Sequence, residues 1–118
     1  MKSSNVSDVH FTEADRNLLL IEGDLREQNA CAFESRVRTL VVKDGDLVIL
    51  DLHGLDIEDG VALATCINSL RELRARVNGL ELRGAPQMLG HNLYRTGMLE
   101  GPRAVALLDM RLDEPSGV

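Results

Sequence analysis

The chain has 118 residues, 44% hydrophobic and 27% charged, with a formal net charge of −6 from 13 basic and 19 acidic side chains. That length suits one domain with one core and excludes a second domain carrying its own substrate site. An acidic surface repels phosphate backbones and anionic lipid, so nucleic acid is disfavoured; the charge suits a protein that meets basic protein surfaces, or one that is simply kept in solution.

Residues 1–8 are polar and are expected to be flexible. Residues 9–13 alternate apolar and polar, as a half-buried strand does, and residues 14–17 read as a turn. Residues 18–22 form a second strand, ended by Gly23, Asp24 and Leu25. A helix is expected over residues 29–42, with Ala30, Phe33, Val37, Leu40 and Val41 on one apolar face, followed by a polar turn at residues 43–46. The run Leu47, Val48, Ile49, Leu50 is continuously apolar, which predicts a central strand covered on both faces.

Residues 55–59 read as a loop. The longest helix follows over residues 60–77, with Leu63, Ile67, Leu70 and Val77 in its stripe and Cys66 and Leu73 beside it. Asp59 is placed to cap it, because its carboxylate can accept the free amide hydrogens of the first turn. Arg71, Arg74 and Arg76 suit the negative pole at its far end, and Asn78 and Gly79 stop it. Residues 80–83 alternate as a strand, Pro86 opens a third helix carrying Leu89, Leu93 and Tyr94, and Gly97 ends it. Residues 104–108 make a last apolar strand, and residues 111–118 are expected to be a flexible tail. The order β-β-α-β-α-β-α-β predicts one mixed sheet of four to five strands with three main helices packed on it.

The only aromatics are Phe11, Phe33 and Tyr94, so the core must be aliphatic. Cys31 and Cys66 are too few for a disulfide framework or a zinc cluster and are read as small buried hydrophobes. No signal-peptide pattern and no apolar run long enough to span a bilayer is present, which leads to an expected cytoplasmic location without membrane insertion.

Residues 51–73, DLHGLDIEDGVALATCINSLREL, resemble the STAS family (sulfate transporter and anti-sigma factor antagonist). The family pattern is a strand ending Asp-Leu-Ser-Gly-Val, a loop ending Asp-Ser-Ser-Gly-Leu, and an amphipathic helix. Asp51, Leu52, Gly54, Asp59 and Leu63 match it without a gap. The segment Ile21 to Leu25 is similar to the family's Gly-Glu-Leu-Asp turn, and LELRGAPQMLGHNLYRTGML to its fourth strand and last helix. Three departures stand out. Gly60 occupies the position of the phosphorylatable serine, Arg26 stands where an aspartate is common, and Ala62 stands where the motif glycine is expected. Glycine has no hydroxyl, so the family's phosphorylation switch cannot operate at residue 60.

The resemblance implies a single STAS-like α/β domain over residues 9–110 and a non-enzymatic, bacterial regulatory module that acts by protein binding, as in transcription control through anti-sigma factor antagonism. Its docking surface would comprise Gly23, Asp24, Leu25, Glu58, Asp59, Gly60 and Val61, with an anti-sigma factor of kinase-type fold as partner. The alternative is a cytoplasmic subunit that docks on the ATPase of an ABC-type lipid transport complex. Self-association into a homodimer stays open.

Other chemistry is weakly signalled. Asp24, Asp56, Glu58 and Asp59 could make an acidic rim, or be a cap and solvated loop charges. No calcium-loop spacing and no set of nucleophile, base and oxyanion donors is present, so no catalytic residue, metal or cofactor is expected. His10, His53 and His91 have no ligand-spaced partner. Thr65 is a weak alternative phosphorylation site; Ser35, Ser69 and Thr65 are more simply structural hydroxyls. Gly23, Gly84 and Gly90 make no phosphate loop.

Overall fold

The computed structural model describes residues 9–15, 17–40 and 47–109. Among them the elements run β1 (Val9–Glu13), β2 (Leu18–Leu25), α1 (Glu27–Arg38), β3 (Leu47–Asp51), β4 (Leu55–Ile57), α2 (Gly60–Arg76), β5 (Gly79–Arg83), α3 (Gln87–Arg95) and β6 (Val105–Asp109). The expected flexible ends and the turn at residues 43–46 lie outside the described residues.

β1 and β2 pair antiparallel, with Phe11 opposite Ile21. From β2 onward the pairing is parallel, and the strand order is β1-β2-β3-β5-β6, with β4 also on β2. The crossovers through α1, α2 and α3 all step the same way across the sheet. Right-handed crossovers that step the same way put their helices on the same face. One core results: Leu19, Ile21, Val48, Leu50, Leu80, Leu82 and Val105 from the sheet meet Phe33 and Val37 of α1, Ile67, Leu70 and Leu73 of α2, and Leu89 and Leu93 of α3.

The opposite parity of the same strands stays outside that core. Leu18, Leu20, Ile49 and Ala106 belong to neither the core nor the layer packed on it, and Leu47 is exposed. The expectation that Leu47–Leu50 is covered on both faces is therefore corrected: among the described residues, one face is covered.

Among the described residues the sheet has six strands rather than four or five. The extra one is β4, read from sequence as loop. It lies end to end with β3 along β2, which runs past β3 and pairs Gly23, Asp24 and Leu25 with Leu55, Asp56 and Ile57. This is also why β2 continues to Leu25 rather than ending at Glu22. α1 starts two residues before the expected position. Asn29 accepts from the Arg26 amide at 2.8 Å through its side-chain oxygen, and its side-chain amide donates to the Asp24 carbonyl at 2.9 Å. Cys31 is exposed, against expectation, because the buried face of α1 runs through Ala30, Phe33 and Val37. Cys66 is buried, and desolvation pushes its thiol up to about 12.

Two arginines of the last turn of α2 reach other elements. Arg74, 8% exposed, donates to the carbonyls of Val77 at 2.9 Å, Ala104 at 3.0 Å and Pro102 at 3.4 Å. Arg76 donates to the carbonyls of Val37, Arg38 and Leu40 at the end of α1.

Candidate functional site

The two segments singled out from sequence meet. Pairing of β2 with β4 sets Asp24 opposite Asp56, and the Glu58 amide donates to the Leu25 carbonyl at 2.9 Å. The amino-terminal ends of α1 and α2 therefore emerge side by side at the carboxyl ends of β2 and β4.

Asp59 joins them. One carboxylate oxygen accepts from the Ala62 amide at 2.8 Å, capping α2 as expected; the other accepts from the Glu27 amide at 2.9 Å, at the start of α1. Free amide hydrogens at a helix start carry partial positive charge, so a carboxylate shared between two such ends is favoured in its ionised form. The hydrogen bonds from Ala62 and then Glu27 accordingly hold its carboxyl below the usual value, with Arg26 adding to the effect.

Around Asp59 the surface is open. Gly60 is exposed, and a Cβ built on it meets nothing within 4 Å. Val61 is 49% exposed beside it, whereas Ala62 is buried. Asp56 and Glu58 are exposed, and Asp24 pairs with Arg26 at 3.4 Å. Gly23 has a left-handed φ of 123°, and its amide donates to the Gly54 carbonyl at 2.9 Å. Leu25 differs from its expected place on a docking surface: its side chain is fully buried in the core. Thr65 is partly buried farther along α2.

A second cluster lies at the ends of β3 and β5, and sequence reading missed it. The His53 ring sits 2.8 Å from an Asp51 carboxylate oxygen through Nδ1, and the His53 amide donates to the same oxygen at 3.1 Å. Burial would raise the Asp51 carboxyl, but the two His53 contacts and the nearby Arg83 charge outweigh it and leave it lowered. The signal available was the Asp-x-His spacing. Gly84, at φ +63°, lies under the ring, where a Cβ would fall 2.4 Å from His53 Cγ. Gly84→Ala should therefore destabilise the fold by about 1–2 kcal/mol in urea unfolding, through left-handed strain and displacement of the ring; an unchanged midpoint would contradict this packing.

A shallow groove of about 320 Å³ runs between β1 and α1, lined by Val9, His10, Phe11, Asn29, Ala32, Phe33 and Arg36. The Arg36 guanidinium lies 5.0 Å from the Phe11 ring centroid. Among the described residues no group of three or more His, Cys, Asp or Glu could hold a metal ion, and no helix is long and apolar enough to cross a membrane. A scan against protein-family models and a search of curated proteins gave no match.

Proposed function

We propose that this chain is a STAS-type protein-binding module that docks a regulatory partner through the paired starts of α1 and α2, and that no phosphoryl group is taken up at residue 60. The observation that carries the reading is the open surface at Gly60 and Val61, beside a carboxylate that ties the two helix starts together. A docking patch needs a fixed backbone and exposed apolar surface at its centre, and Asp59 and Val61 supply them. The partner is an anti-sigma factor of kinase-type fold, and the chain acts as a constitutively unphosphorylated antagonist. The missing hydroxyl also favours a second reading, a subunit that docks on the ATPase of an ABC-type transporter, since that role needs no phosphoryl turnover.

Gly60→Ser is the direct test. The open space around residue 60 accommodates the side chain without a shift of the backbone. Purified wild-type chain incubated with a kinase-type anti-sigma factor and labelled ATP should bind it and incorporate nothing. Gly60→Ser should bind, take up label at Ser, and then lose at least about tenfold in affinity, because a phosphoserine adds about −1.5 to −2 charge beside Asp59. Binding to a transporter ATPase without binding to the kinase would select the second reading. Label on the wild-type chain at Thr65 would move the switch into the helix.

A further inference from the structure

β1 is the end strand of the sheet, and its described pairing is with β2 alone. Three hydrogen bonds fix which of its backbone groups face outward. The Ile49 amide donates to the Asn17 carbonyl, the Gly23 amide to the Gly54 carbonyl, and the Ala14 amide to the Leu18 carbonyl. Odd-numbered residues of β2 therefore bond away from β1, and even-numbered ones toward it. In the register of the hairpin, Leu20 and Glu22 face Thr12 and His10, so the amides and carbonyls of Val9, Phe11 and Glu13 point off the edge. That edge lacks the usual guards. Residues 9–13 hold no lysine and no proline, and their register with β2 is unbroken, whereas β6 at the other end of the sheet pairs through a register shift.

The groove beside β1 has the shape of a peptide seat. Val9, His10 and Phe11 are consecutive, and side chains of a strand alternate between faces, so a groove that touches all three runs along the strand's edge. On the other wall Asn29, Ala32, Phe33 and Arg36 stand at i, i+3, i+4 and i+7, one stripe of α1. An open strand edge beside a helix stripe takes an extended segment as an added strand, with its main chain on the edge and alternate side chains in the groove. Charge narrows the segment further. The Arg36 guanidinium is held 5.0 Å from the Phe11 ring centroid, and among the described residues no carboxylate or carbonyl accepts from it. No acid lines the groove, and the rings of Phe11 and Phe33, 5.7 Å apart, give it an apolar floor. A chain of net charge −6 repels an acidic tract, so one carboxylate suits this seat and several do not.

We propose that β1 and α1 form a second docking site, which takes an extended segment of a partner protein as a strand added to β1, with apolar side chains on Phe11 and Phe33 and one Asp or Glu on Arg36. The site uses no residue of the surface at the helix starts, and it stands whether or not that surface binds the partner named above.

The immobilised full chain, panned against a displayed library of random peptides about ten residues long, should enrich sequences that alternate apolar residues and carry a single acid. Synthetic copies should bind in fluorescence polarisation with dissociation constants of about 100 μM or tighter. Arg36→Glu should weaken them about tenfold or more. Glu13→Pro removes an outward amide and no bond within the sheet, so it should weaken them about as much while far-UV circular dichroism stays unchanged. If that variant unfolds, the same peptides N-methylated at alternate amides, measured on the wild-type chain, report on the added strand instead and should lose about tenfold. Val61→Lys should leave these affinities unchanged, which separates the two docking sites. A full chain that enriches no such sequence overturns the proposal, as do peptides whose affinity survives Arg36→Glu. Peptides that tolerate N-methylation in both alternate patterns bind by side chains alone, and they overturn it as well.

Discussion

Asp59→Ala should lower the thermal midpoint by roughly 5 °C or more, because one truncation strips the caps from two helices at once. The Ala62 and Glu27 amides both lose their acceptor. Asp59→Asn separates the two contributions. Its side-chain carbonyl can still cap α2, but its amide group would point a second donor at the Glu27 amide, so it should fall between wild type and Asp59→Ala. The pH dependence has a fixed sign. The folded carboxyl lies below its ordinary value of 3.8, so its contribution is fully present above that value and fades as the pH falls through the lower folded value. Melting curves of wild type and Asp59→Ala should therefore differ most near neutral pH and converge in acid. A constant gap down to pH 2 would mean that the carboxylate charge plays no part. Docking should weaken along with stability, since the two helix starts would lose their common anchor.

Arg74→Ala should cost about 3 kcal/mol in urea unfolding, the largest loss expected from any polar side chain described. The residue is 8% exposed, and its hydrogen-bond partners among the described residues include no carboxylate. Its donors instead go to three backbone carbonyls, at the end of α2 and in the segment leading into β6. Truncation leaves those carbonyls without their donor, and at the buried Val77 carbonyl water replaces it poorly. Arg74→Met keeps the apolar stem and should recover only a minor part of the loss; Arg74→Lys keeps the charge but not the fork, and should lie between. A loss under about 1 kcal/mol for Arg74→Ala would show that water reaches these carbonyls freely.

The elements that sequence made legible are those with long period or strong punctuation. α2 was placed within one residue at either end because Asp59 starts it and Asn78 and Gly79 follow it. β5 and α3 were similarly marked by alternation and by Pro86. β4 was not legible, because three residues carry no period; only its partner, the far half of β2, makes it a strand. The start of α1 was missed because its amide hydrogens are met by Asn29 inside the helix and by Asp59 from another element. In the candidate site, the Asp59 cap was visible but its second bond was not, since Glu27 lies 32 residues away. Leu25 was assigned to the surface by resemblance, and strand alternation buries it. Arg74 and Arg76 were read as serving the dipole of their own helix; their actual acceptors are set by the tertiary fold and leave no local trace.

α1 and α2 are fastened to each other at opposite ends, by Asp59 at their starts and by Arg76 at the finish of α1. Both fasteners belong to the second helix or its cap, so the first helix borrows its terminal partners from sequence that comes about thirty to forty residues later. A peptide cut to the first helix alone would leave those amides and carbonyls to water. The stretch from Asp24 through Arg76 is thus the shortest that contains all of these terminal partners, and grafting only the first helix onto another scaffold would carry its surface without the restraints that hold its direction.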